Sequence, residues 1–248
     1  MILHIPHADP TIPPELRGQF SLPVPELQEE LLRSTDWFTD ELFTLGGCPV
    51  VRFPVSRLVV DPERFENDAS EPMSAVGRGA VYHSTKDGLP LRRHITPKER
   101  ATLLRRIYHP HHARLSHVVR SELARDNKAL LVDAHSFPAI AWRLEQSPGA
   151  RRPDFCIGTD RFHTPAALTG IAHTFLVGKG FSVAENEPYG GSLVPMAFYR
   201  RDPRVASIMI EVNRRTYMDE ERASRGPQFS RMRAVIEELL QVLYQFNS

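Results

Sequence analysis

The chain has 248 residues, 41% hydrophobic and 25% charged, with a formal net charge of +1. That length and balance suit one α/β domain over residues 1–248 with a substantial core, and the near-neutral charge gives no electrostatic reason to expect nucleic acid or an anionic membrane as partner. No apolar run approaches the roughly 20 residues of a membrane span, and "MILHIPHADP" lacks the basic region and cleavage site of a secretory leader, so the expected location is cytoplasmic.

"ILHIP" opens as a short strand stopped by Pro6, and Pro25 to about Leu45 reads as a helix from the spacing of Leu27, Leu31, Leu32, Phe38, Leu42 and Phe43. "PVVRFPV" and "RLVVD" read as two short strands or one interrupted strand. Residues 62–95 form a long polar loop region, of the kind that is usually functional or disordered. Thr96, Pro97 and Glu99 spell a capping box, which starts a helix running to about Asp126, and Pro110 must kink or split it. In "KALLVDAHSFP" a buried strand ends on Asp133 and His135 and breaks at Pro138. A helix from about Pro165 to Val177, a strand at "FSVAEN", a turn in "EPYGGS", a strand at "VASIMIEVN" and a helix from about Gln228 to Phe246 complete the pattern. Strands alternating with helices predict a three-layer α/β/α sandwich around a mixed sheet. The 21 prolines gather between elements and predict shaped loops, while Cys48 and Cys156, outside any CxxC pair, read as small core residues.

Four residues carry the candidate chemistry. His7 follows the first strand, Asp36 lies in the helical stretch "TDWFTDELF", His135 ends a middle strand, and Glu211 sits in an otherwise apolar strand. Taken singly they have ordinary explanations: a loop histidine, a helix-surface acid, a satisfied buried imidazole, and half of an ion pair between Glu211 and Arg57, Arg64 or Arg214. Taken together, two imidazoles, one carboxylate and a further glutamate are the residue types of a catalytic zinc site with a general base. A buried carboxylate costs several kcal/mol of desolvation unless it is paired or faces such a site.

The ordered blocks "IPHADPTIP", "TDWFTDELF", "SRLVVDPERF", "GRGAVYHSTKDGLPL", "YHPHHARL", "LLVDAHSFP", "NEPYGGS" and "IEVNRRTYMDE" resemble the N-formylglutamate amidohydrolase family along nearly the whole chain. That family is similar to the zinc carboxypeptidase and aspartoacylase group, which implies a zinc-exopeptidase-like fold and a zinc-dependent hydrolase acting on an N-formyl or short N-acyl amino acid. Carried over by position, the resemblance implies zinc on His7, Asp36 and His135, Glu211 as general base and acid, and Arg57 as the group that polarises the scissile carbonyl. Where the aspartoacylase-like pattern has "DLNR", this chain has "DPER", so Arg64 matches the arginine that binds a substrate carboxylate and Glu63 replaces the asparagine. The stretch "LVPMAFYRRDPRV" also departs from the family's glycine- and arginine-bearing pattern. Asn186 and Tyr189, beside Gly190 and Gly191, are candidates for a substrate loop. His112 is expected to line or support the site with His109 at the surface, Arg214 to hold a substrate carboxylate or pair with Asp219 or Glu220, and Asp133 to orient a histidine. A carboxypeptidase-like enzyme and a metal-free binding protein on the same scaffold are the alternatives.

Overall fold

The computed structural model describes residues 1–141 and 152–247. Six strands, β1 (Ile2–Ile5), β2 (Val50–Arg52), β3 (Ala129–Phe137), β4 (Phe155–Gly158), β5 (Val183–Glu185) and β6 (Val205–Asn213), form one sheet in the order β2-β1-β3-β6-β4-β5. Paired neighbours run parallel except β4 and β6, so the sheet is mixed, as expected. The helices are α1 (Val24–Ser34), α2 (Thr39–Leu42), α3 (Pro97–Leu103), α4 (His109–Asp126), α5 (Ala166–Gly178) and α6 (Phe229–Asn247).

Alternation along the strands decides where chemistry can sit. On one face Leu3, Ile5, Leu130, Val132, Ala134, Ile208, Ile210 and Val212 pack with residues of α2, α5 and α6 in the largest core cluster. On the other face Ile2, Ala129, Leu131 and Val205 pack on Leu115 and Val119 of α4. Helices on both faces make three layers. Further along β3, beyond the reach of α4's apolar stripe, the second face changes character and carries Asp133 and His135, both buried. β6 runs in register beside it, His135 opposite Glu211.

Several expectations are corrected. The helix predicted from Pro25 to Leu45 breaks after Ser34: Thr35 is extended and Phe38 is left-handed with φ 63°. The Thr35 hydroxyl donates to Leu31 O and the Trp37 indole N–H to Leu32 O, 2.8 Å each, so side chains satisfy the last carbonyls of α1 and stop it. Asp36 therefore lies in a turn, where its N–H donates to His7 O at 2.9 Å. "RLVVD" is a buried turn and not a strand, because Arg92 donates to the carbonyls of Leu58 and Val59 that a neighbouring strand would otherwise satisfy. Pro110 splits its helix: α3 and α4 are joined by a π-helical turn at Leu104–Tyr108, and the proline sits in the first turn of α4, where its missing N–H costs least. β3 does not end on His135; it continues to Phe137 as a central strand of the sheet. β4, "FCIG", was not anticipated. The 62–95 region is irregular but packed, with Val81, Tyr82 and Leu91 buried.

Candidate active site

The carboxyl ends of β1, β3 and β6 bring together residues far apart in sequence. His7 Nδ1 lies 3.2 Å from His135 Nδ1. Asp36 Oδ2 lies 3.2 Å from His135 Nδ1 and 3.6 Å from His7 Nδ1. The three side chains are buried, and together they form a group able to hold a metal ion.

His7 and Asp36 are each fixed by a hydrogen-bonded partner, while His135 Nε2 faces Asp133 without a well-aligned hydrogen bond. His7 Nε2 sits 2.9 Å from Asp61 Oδ1, and Asp61 also accepts from Arg57 Nη2 at 2.8 Å, from the Tyr82 hydroxyl and from Glu63 N at 2.9 Å. With Nε2–H donating to Asp61, Nδ1 of His7 presents its lone pair to the cluster. Arg214 Nη2 donates to Asp36 Oδ1 at 3.0 Å, which leaves Oδ2 facing the histidines; its other nitrogens reach Arg33 O and Ser136 Oγ. His135 Nε2 lies 3.2 Å from Asp133 Oδ1, and Asp133 Oδ1 in turn meets His4 Nδ1 at 2.9 Å. His4, Glu63 and Asp133 are a second group of metal-ligating type directly behind the first.

The charges follow from these contacts. Burial pushes the Asp36 carboxyl up, but hydrogen bonds from His135 and His7 and the Arg214 charge hold it well below the usual range. Burial and then the Arg57 charge lower the His7 pKa. Glu211 makes no hydrogen bond or ion pair among the described residues, and its buried Oε2 has no partner. Burial, reinforced by Asp36 and opposed by His135, Arg57 and Arg214, raises its pKa to about 7. The ion pair of Glu211 with Arg57, Arg64 or Arg214 is therefore not what holds this acid in its strand.

The cluster lies in a cavity of about 1280 Å³ that is also lined by Arg57, Arg64, His112, Asn186, Tyr189 and Arg214. Arg57 is engaged with Asp61 and the Tyr82 hydroxyl. His112 Nε2–H donates to Pro62 O at 3.0 Å, bracing the "DPER" turn, and burial and the His4 charge lower its pKa to about 4. His109 is at the surface, 3.1 Å from Glu66. Asn186 uses its amide within the loop, accepting from Thr159 N at 2.9 Å and donating to Thr159 Oγ1 at 2.8 Å. The Tyr189 hydroxyl accepts from Arg152 Nη2 at 3.1 Å. Arg214 pairs with Asp36 and not with Asp219 or Glu220; Glu220 instead accepts from Ala139 N. The loop is held close to β4 at Gly158, where a Cβ would lie 2.3 Å from Gly191 O. Asp61, Tyr82 and His4 were not singled out in the sequence, although Asp61 ends an apolar run just as Asp133 follows "LLV".

Fold and site together define an α/β protein whose candidate active-site cleft, built on a buried histidine and carboxylate cluster, opens at the carboxyl ends of central strands. The chain belongs to the N-formylglutamate amidohydrolase family, whose model matches residues 1–218. It is 29% identical over 223 residues to the N-formylglutamate deformylase of Pseudomonas aeruginosa, covering 86% of this chain and 82% of that protein. It is 26% identical over 198 residues to that of Pseudomonas putida, covering 76% and 72%. The crystal structure of N-formylglutamate amidohydrolase from Ralstonia eutropha JMP134 superposes with a TM-score of 0.84 at 22% identity, covering 98% of this chain and 92% of that one. A gene product of Agrobacterium tumefaciens gives 0.71 at 19% identity, covering 100% and 91%.

Proposed function

We propose that this protein is a zinc-dependent amidohydrolase that cleaves the amide of an N-formyl or short N-acyl amino acid. One observation carries the reading: His7 Nδ1, Asp36 Oδ2 and His135 Nδ1 form a triangle with sides of 3.2, 3.2 and 3.6 Å, beside a partnerless buried glutamate. Zinc bonds of about 2.0–2.1 Å in a tetrahedron separate neighbouring ligand atoms by about 3.3 Å, so the triangle fits one face of that figure. The names of the curated relatives supply the amide.

His7, Asp36 and His135 would hold the zinc, which when bound would supply Lewis acidity and lower the pKa of a water to about 7. Glu211, on the strand beside His135, takes a proton from the attacking water and returns it to the amide nitrogen as the C–N bond breaks, releasing the carboxylic acid and the amine. Arg57, held by Asp61, stabilises the negative charge that develops on the carbonyl oxygen. Arg64 anchors the substrate carboxylate, Tyr189 and the loop shaped by Asn186 close one wall, and His112 supports the turn that carries Arg64. Arg214 acts through Asp36 by fixing which oxygen faces the histidines.

The test is elemental analysis by inductively coupled plasma mass spectrometry, on the parent and His135→Ala, together with formate release from N-formyl amino acids. About one zinc per chain in the parent, little in the variant, and formate release by the parent alone are expected. No metal in either protein after zinc is offered would refute the reading.

A further inference from the structure

The cavity contains more cations than a substrate can use, so the informative question is which of them are already engaged. Arg57 is held by Asp61, Arg78 by Glu30 and Ser84 O, Lys86 by Arg33 O, Arg152 by Pro138 O and the Tyr189 hydroxyl, and Arg214 by Asp36. Arg64 differs. It donates no hydrogen bond among the described residues, its buried Nε lacks a partner, and its nearest carboxylate oxygen, on Asp61, is 3.8 Å away. The carboxylates are engaged in the same way: Glu71 accepts from Phe65 N and Met73 N, Asp160 from Phe162 N and His163 N, and Glu187 lies on the exposed rim.

Once these pairs are set aside, the described residues of the cavity offer one arginine fork and an apolar wall. The wall is Phe65, Met73, Leu193, Val194, Met196 and Tyr199, and the Phe65 and Tyr199 rings meet with centroids 6.2 Å apart. Phe65 directly follows Arg64 in the chain, so the wall starts beside the anchor. On the anchor's other side stands Glu63, whose buried Oε1 has no partner and lies 3.3 Å from His4 Nδ1. Among the described residues, a second substrate carboxylate would meet no unengaged cation there, and it would lie in a cavity that also holds the Glu63 carboxyl group.

Building on the amide-hydrolase reading above, we propose that the side-chain pocket takes an uncharged, apolar group. The preferred substrates are N-formyl or short N-acyl derivatives of monocarboxylic amino acids such as phenylalanine or leucine, and the dicarboxylate N-formylglutamate is disfavoured. The single α-carboxylate binds Arg64, and the side chain lies along Phe65, Met196 and Tyr199.

The experiment compares N-formyl-phenylalanine, N-formyl-leucine and N-formylglutamate in two ways. Turnover is measured as kcat/KM on the zinc-supplemented full chain, and binding by isothermal titration calorimetry on its Glu211→Gln variant. A preference of at least about tenfold for the apolar compounds in both is expected, consistent with leaving a buried charge unpaired. Met196→Arg, which adds a cation to the wall at an exposed position, should narrow that ratio. Equal or better turnover or binding of N-formylglutamate overturns the proposal while leaving the hydrolase reading intact. Absence of turnover on every compound with the binding preference preserved defeats the hydrolase reading and upholds the pocket's selectivity, and absence of binding by all three overturns the selectivity as well.

Discussion

Asp61 is buried with no exposed surface and holds three things at once: the His7 imidazole, the Arg57 guanidinium and the Tyr82 hydroxyl. Asp61→Asn keeps the shape and one carbonyl acceptor. Oδ1 of the new amide can still accept from His7 Nε2 and Glu63 N, but its NH2 would face the donors of Arg57 and Tyr82. The arginine then loses its counter-charge. Breaking a buried pair costs about 3–5 kcal/mol, and because 15% of the Arg57 side chain is exposed, we expect a loss near the lower end, about 3 kcal/mol. Metal affinity should fall as well, by roughly 10- to 100-fold, the usual effect of removing a carboxylate that orients a ligand imidazole. Urea unfolding of the metal-free chain reads the first quantity, and competition for zinc against a chromophoric chelator reads the second. Parent-like stability and zinc affinity in Asp61→Asn would refute the claim that this carboxylate organises the site.

Glu211→Gln should retain zinc while turnover drops by roughly 10²- to 10⁴-fold, the range for a lost general base, and because its Oε2 has no partner to lose, thermal unfolding should shift little. Gly158→Ala places a Cβ against Gly191 O and should push the 186–191 loop outward, raising KM more than it lowers kcat; a crystal structure of the variant with an unmoved loop would contradict this. His111, buried against His4, has its pKa lowered to about 2, first by burial and then by the His4 charge. It stays neutral in the folded chain while the unfolded chain protonates near 6.5, so its effect is absent above that pH and costs stability as pH falls below it. Between pH 6.5 and 5.0 the loss is about 1.6 kcal/mol, and His111→Gln should flatten that limb of a urea-derived stability profile.

Much of this arrangement was legible because hydrophobic period and turn chemistry are local. The capping box at Thr96, the strand "VASIMIEVN" and the last helix needed only neighbours along the chain. The misplacements share a cause: a side chain from a distant segment replaced the expected backbone partner. Arg92 satisfies the carbonyls of "RLVVD", so three buried apolar residues form a turn where periodicity indicated a strand. The break that presents Asp36 depends on Thr35 and Trp37 folding back on α1, which no apolar spacing records. For the same reason His7, Asp36, His135 and Glu211 could be named as candidates, and Asp133 as a group that orients a histidine, but Asp61 could not, since it and His7 meet across 54 positions of sequence. Arg214 shows the limit most plainly: its type suggested a substrate clamp, and its contacts make it the partner of Asp36.

β6 is the last strand of the main sheet to be synthesised, yet it inserts between β3 and β4. On the ribosome His7, Asp36 and His135 emerge well before Glu211, so the residues proposed to hold an ion precede the one proposed to move protons. A nascent chain or proteolytic fragment ending before Val205 would leave one edge of β3 unpaired and lack Glu211. On the proposed reading, such a fragment is expected to hold zinc without turning over substrate, activity arising only once the final strand closes the sheet.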